Sequence, residues 1–225
     1  SEGEVATDTF SFTVSDGRGG SASAGVSVFV TGSNDAPVAA GQDVALDEHD
    51  AQVTAAFAAD DVDSDDDQGS LIYTLLSAPS AGEVTNNNDG TFSFRPDGDF
   101  DNMALGESRS VSFTWQAQDR HGAISNVGTV EITVNGTNDV PTAAAVSLSA
   151  DEDGPAVAAK FVGDDADPDD GPATLSYTVL DVPAGVVTVG PGGAFTYDPA
   201  GALESLGAGQ SKDITFAYTV TARHG

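Results

Sequence analysis

The chain contains no cysteine, and its 225 residues include only 7 Lys and Arg against 36 Asp and Glu, a formal net charge of −29. The missing cysteines exclude disulfide staples and thiolate-bound zinc, and they suit a polypeptide exported before it folds. The shortage of cations excludes nucleic acid and bare anionic membrane as partners, because a field of this sign repels both. No stretch approaches the ~18 apolar residues of a membrane span, and the amino end lacks the basic and apolar regions of a signal peptide. A soluble fragment of a longer secreted chain is expected.

Catalytic signatures are equally scarce. There is no Gly-x-Ser-x-Gly elbow, P-loop or strand-anchored Gly-x-Gly-x-x-Gly. Of the three histidines, His121 and His224 occupy equivalent places in a surface connection, and His49 has Asp153 as its counterpart. Without a positioned nucleophile or an acid and base pair, no enzyme is predicted.

What the sequence does contain is repetition. Asn34-Asp35-Ala36-Pro37 returns as Asn138-Asp139-Val140-Pro141, and Leu46-Asp47-Glu48 as Ala150-Asp151-Glu152, both at an offset of 104. Asp60, Asp61, Asp63 and Asp65 recur as Asp164, Asp165, Asp167 and Asp169. Phe113-Thr114-Trp115 matches both Phe10-Ser11-Phe12 and Phe216-Ala217-Tyr218 at an offset of 103. The boundaries that follow are the last third of one repeat (1–33), a whole repeat (34–137), and a third repeat lacking its final strand (138–225).

Within the whole repeat the hydrophobic period is 2, as in Val111, Phe113, Trp115 and in Val130, Ile132, Val134. Seven strands are predicted near 43–47, 53–58, 71–76, 83–86, 91–95, 110–118 and 127–135, separated by Gly, Pro, Asn and Asp clusters. Asn88-Asp89-Gly90 and Gly192-Gly193 supply the positive φ of tight hairpins. Helical periodicity is sustained nowhere. The expected fold is all-β, a tandem of immunoglobulin-like or cadherin-like Greek-key sandwiches with about seven strands per ~104 residues.

Six of the eight residues from 60 to 67 are Asp, and carboxylates this crowded repel one another unless a cation lies among them. Strands of alternating direction bring Asn34, Asp35, the 60–67 loop and Asp119 to one end of the sandwich. Glu48 goes to the opposite end, toward Asn138, Asp139 and the loop from Asp164 to Asp169, and Glu152 repeats Glu48 in the third copy. Oxygen ligands on flexible loops suit calcium better than zinc, copper or octahedral magnesium. The spacing Asp61-x-Asp63-x-Asp65 is not an EF-hand, since Asp66 stands where Gly is required and Ile72 where Glu is required. A solvated charge run is the alternative for one such loop; recurrence beside both Asn-Asp pairs favours the ion.

The Asn-Asp-x-Pro connector, the Asp-Glu pair, the acidic loop and Ser15-Asp16-Gly17-Arg18-Gly19-Gly20 together resemble the VCBS and bacterial cadherin-like repeats over essentially the whole chain. That resemblance implies an extender or binding module of a large secreted, RTX-type adhesin. It implies a place outside the cell or at its surface, biofilm attachment, neighbouring repeats as partners, and calcium stiffening the array. It supports Asn34, Asp35, Asp61, Asp63 and Asp119 as ligands at one connector, and Asn138, Asp139, Asp165 and Asp167 at the next. The third copy departs from the pattern, with Ala222 where Asp119 and Asp16 stand in the others.

Competing readings are a carbohydrate-binding module and the ancillary domain of a secreted hydrolase. Trp115 is the sugar-stacking candidate, but its alignment with Phe12 and Tyr218 in an alternating strand marks a core position. The incomplete ends also invite strand exchange, in which the 22–31 strand of one chain completes the third repeat of another.

Overall fold

The computed structural model describes residues 1–181 and 184–224. Strands β1 (Val5–Ser15) and β2 (Ser21–Thr31) form an antiparallel hairpin registered from Val5↔Thr31 to Ser15↔Ser21. Its turn is drawn tight by Asp16, whose Oδ1 accepts hydrogen bonds from the amides of Arg18 (2.8 Å) and Gly20 (2.9 Å). Phe10, Phe12, Val14, Val28 and Val30 alternate as the strand period demands, yet all are exposed.

The whole repeat contains β3 (Val38–Ala39), β4 (Gln42–Asp47), β5 (Val53–Ala56), β6 (Ala59–Asp60), β7 (Ile72–Leu75), β8 (Glu83–Asn86), β9 (Thr91–Arg95), β10 (Ser108–Gln118) and β11 (Gly128–Asn135). One sheet has the order β4-β11-β10-β7, another β5-β9-β8, and β3 pairs with β6. The expected strand at 53–58 is thus divided, with the buried Phe57 between β5 and β6. The hairpin from β8 to β9 turns through Asn88 (φ 60°) and Gly90 (φ 86°), the positive angles anticipated there.

The third repeat contains β12 (Thr142–Ala144), β13 (Val157–Lys160), β14 (Val162–Asp164), β15 (Ser176–Val179), β16 (Val186–Val189), β17 (Ala194–Asp198) and β18 (Tyr218–Thr221). Its pairings repeat those of the second: Val157↔Tyr197 answers Val53↔Phe94, and Val179↔Tyr218 answers Leu75↔Trp115. Residues 146–151 and 211–217, the counterparts of β4 and of the first half of β10, form no strand. In the second repeat both of those strands pair with β11. An extended segment without a neighbour has no ladder to join, so the alternation in the sequence is not enough.

The chain divides into two compact units, one of Ser1–Val44, Gln52–Arg95 and Ser110–Ile132, the other of Ala45–Ala51, Pro96–Arg109 and Thr133–Gly225. Five aromatic residues centre the first. Phe57 lies 4.8 Å from Tyr73, 5.2 Å from Phe92 and 4.9 Å from Trp115, and Phe92 lies 5.0 Å from Phe113. The second unit holds the repeat-equivalent five, with Phe161 within 4.2–5.9 Å of Tyr177, Phe195 and Tyr218, and Phe195 6.1 Å from Phe216. Tilted and offset pairs of this kind contribute about 0.5–1.5 kcal/mol each beyond the area they bury. Trp115 is fully buried, and a Cβ at Gly128 would come 2.7 Å from its ring, so glycine is what lets β11 close over it.

Candidate metal centres

In the first unit, the turn after β10 is organised by Asp119. Its Oδ1 accepts from the amides of His121 (2.9 Å) and Ala123 (2.8 Å), the same arrangement that Asp16 builds in the hairpin. Its Oδ2 accepts from Asn34 Nδ2 at 2.8 Å. The Asn34 contact, followed by the turn amides, holds the Asp119 carboxyl below the usual aspartate range. The connector is tied in a second time where the Asp35 amide donates to Asp63 Oδ2 at 2.8 Å, and the Asp63 amide donates to Asp61 Oδ1 at 2.9 Å. Asp63 is buried and also ionises more readily than usual, first because of the Asp35 amide and then because of the Ser1 ammonium, 3.0 Å from its Oδ1.

After these bonds are made, Asn34 Oδ1, Asp61 Oδ2 and Asp65 Oδ1 remain buried with no hydrogen-bond partner among the described residues. All three are acceptors. Buried acceptors without donors are costly, and in this setting the partner that several of them can share is a cation.

The second unit repeats the pattern around Asn138 and Asp139. The Asp139 amide donates to Asp167 Oδ2 at 2.8 Å, and the Asp167 amide to Asp165 Oδ1 at 2.9 Å. The buried acceptors here are Asn138 Oδ1, Asp139 Oδ2, Asp165 Oδ2 and Asp167 Oδ1. The last is the repeat-equivalent of the Asp63 oxygen that faces the Ser1 ammonium. Glu48 lies beside this cluster. It is buried, its Oε1 accepts from the Thr137 amide at 2.7 Å, and its Oε2 from the Met103 amide at 3.4 Å. Glu48, His49 and Asp139 place ligand atoms within 4.8 Å of one another. His49 Nε2 lies 3.0 Å from Asp139 Oδ1. Burial pushes the Asp139 carboxyl up, His49 opposes that, and Asp167, Asp165 and Asp101 add to it.

Several expected ligands lie elsewhere. Asp60 pairs with Val38 in β6 and Asp164 with Thr142 in β14; both are exposed and outside the clusters, because strand pairing turns these side chains to solvent. Among the described residues, no hydrogen bond or ion pair joins Glu152 to the second cluster, although its Oε2 is buried and unpartnered. Ala222 is buried where Asp119 has its counterpart; Asn138 Nδ2 bonds to Asp139 O (2.7 Å) as Asn34 Nδ2 does to Asp35 O (2.8 Å), but lacks the further carboxylate that Asp119 gives Asn34. Asp65 and Asp169 stand beside Asp66, Asp170, His121 and His224, which the sequence did not single out as ligands. Their recurrence at offsets of 104 and 103 was the available signal.

Residues 34–136 match the family described as "Bacterial cadherin-like domain", and residues 138–225 the family described as "Bacterial Ig domain". No curated protein matches the chain. Among solved structures, the protocadherin GammaB4 extracellular domain is 20% identical with a TM-score of 0.47, over 94% of this chain and 36% of that one. Mouse clustered PcdhgC3 EC1-3 is 16% identical with a TM-score of 0.48, over 96% and 75%. Drosophila N-cadherin EC1-4 is 10% identical with a TM-score of 0.47, over 84% and 45%. The chain thus spans about a third of the protocadherin GammaB4 chain. The fold is all-β, built of sandwiches similar to bacterial cadherin-like domains over 34–136 and to bacterial Ig domains over 138–225.

Proposed function

We propose that this chain is a calcium-binding, adhesion-type module of a large secreted bacterial surface protein, and that the ions order its Asn-Asp connectors. One observation carries the reading: in both units, after the local hydrogen bonds are made, an Asn and two or three Asp residues keep buried acceptor oxygens with no hydrogen-bond partner among the described residues. Asn34, Asp61, Asp63 and Asp65 would hold an ion in the first unit, and Asn138, Asp139, Asp165, Asp167 and Glu48 in the second. These are the hard oxygen donors that calcium takes six to eight at a time, on loops that tolerate its irregular geometry. Asp119 acts by positioning Asn34, and Glu48, besides offering an oxygen to the ion, holds the connector through the Thr137 amide.

The reading places the chain outside the cell, as an extender or attachment module of an RTX-type adhesin, in biofilm or cell-surface contact, with neighbouring repeats as its partners. The domain boundaries 1–33, 34–137 and 138–225 belong to the same proposal. Exchange of the 22–31 strand between copies is part of it too; a strict monomer by light scattering, with its first thirty residues cut by protease, excludes that exchange. Calorimetric titration of chelator-treated protein tests the main reading. Saturable heat with calcium, and stiffening by small-angle scattering, are expected. A chain that takes up no calcium overturns it. Sugar recognition through Trp115 has no support, since that ring is fully buried.

A further inference from the structure

His121 and His224 lie outside the calcium reading, and each faces a buried carboxylate. Asp66 is 6% exposed and Asp170 2%. Asp66 Oδ1 accepts from Ser70 Oγ (3.1 Å) and the Arg120 amide (3.4 Å), and Asp170 Oδ1 from Thr174 Oγ1 (3.3 Å) and the Arg223 amide (3.2 Å). The Oδ2 atom of each is buried and has no hydrogen-bond partner among the described residues. Each points at an imidazole nitrogen: Asp66 Oδ2 is 3.9 Å from His121 Nδ1, and Asp170 Oδ2 is 3.9 Å from His224 Nδ1. A second carboxylate stands beside each pair, Asp65 Oδ2 3.9 Å from His121 Nε2, the other ring nitrogen, and Asp169 Oδ2 4.0 Å from His224 Nδ1. The three ligand atoms of each trio lie within 4.8 Å of one another.

The separations decide what these groups can do. A gap of 3.9 Å is too long for a hydrogen bond, which needs about 2.7–3.2 Å. Two ligand atoms on a tetrahedral ion with bonds of about 2.0–2.2 Å are about 3.3–3.6 Å apart, so a side-chain shift of a few tenths of an ångström brings each pair onto a shared metal. The nitrogen donor selects which metal. Calcium and magnesium take oxygen ligands, whereas imidazole with carboxylate suits zinc, copper and nickel. We infer that Asp65, Asp66 and His121, and equally Asp169, Asp170 and His224, each bind a transition-metal dication of the zinc class, at a site beside the calcium cluster of the same unit. In both copies the pair of imidazole Nδ1 and buried Asp Oδ2 is the common core. The His side chains are 31% and 36% exposed, which leaves solvent access for the ion and water to fill its remaining positions. Asp65 can serve both ions, since its buried Oδ1 belongs to the oxygen cluster and its Oδ2 faces His121.

Zinc titrated calorimetrically into the full chain, already saturated with calcium, tests the inference. Two zinc ions per chain are expected, one for each trio. His121→Ala should remove one and His224→Ala the other, each weakening that site by about tenfold or more. His121→Gln and His224→Gln should behave alike, and calcium uptake should be unchanged in all four variants. The inference is overturned if the wild type takes up no zinc, because the histidines are then simple ion-pair partners. It is equally overturned if the variants bind zinc as the wild type does, because carboxylates alone then suffice. Calcium heat is recorded first in the same experiment, so failure of the calcium reading and failure of this one are read separately.

Discussion

Removing calcium should lower the melting temperature of both units, and the size of the effect can be worked out. An ion that binds only the folded state, at free calcium about 100-fold above its Kd, adds about 2.7 kcal/mol. Each compact unit has roughly 110 residues and, among the described residues, a group of unpartnered oxygens at its Asn-Asp connector that would take a calcium ion. At about 2.1 cal/mol/K of unfolding entropy per residue, such a unit gains about 4 °C per kcal/mol, so one ion raises its Tm by about 12 °C. Differential scanning calorimetry with chelator and with calcium measures this. Asp63→Asn should abolish the rise in the first unit alone, and Asp167→Asn in the second alone, because each removes a buried carboxylate that anchors its connector amide. An unchanged melting curve for the wild type, or an undiminished rise in the double variant, refutes the reasoning.

Trp115→Ala should cost about 3–5 kcal/mol in chemical denaturation, since it empties the centre of a five-ring core, and calcium heat per folded molecule should be unaltered. Ala222→Asp restores the carboxylate that the third copy lacks and should tighten calcium binding in the second unit by about tenfold; unchanged affinity would show that Asp119 has no counterpart role there. In calcium-free protein the two units should respond oppositely to acid. Asp139 has a folded pKa raised above 3.8, so the stability it contributes is present below 3.8 and is lost as pH rises through the folded value. Asp63 and Asp119 have lowered values, so theirs is present above 3.8 and is lost only as pH falls below it. Thermal melts of Asp139→Asn against the wild type between those limits should converge as pH falls; a constant difference counts against the burial argument.

Much of this architecture was legible because two periods coincide in the sequence. The alternation of Val111, Phe113 and Trp115 marks a strand with one buried face, and the 104-residue offset turns each local reading into two. Strand direction led to the expectation that Asn34 lies near Asp119 and Glu48 near the next connector; the structure places Asn34 against Asp119 and Glu48 beside Thr137 and Asp139. Other features depend on pairings that the local sequence does not encode. Asp60 looks like loop, but the backbone of Val38 recruits it into a strand. Residues 146–151 look like strand, but the segment that would pair with them is β11's counterpart. Six aspartates in eight positions give no hint that Asp66, among them, turns inward toward an imidazole, because that depends on the turn Asp119 sets.

The amide of Asp35 on Asp63, and of Asp139 on Asp167, has a consequence for how the ions come and go. Each acidic loop is fastened to its connector by a main-chain donor, independently of any oxygen the two would share through an ion. An ion that bridges the two therefore has less conformational entropy to offset than one joining two untethered segments. The same tether means that losing an ion would loosen a connector without releasing it.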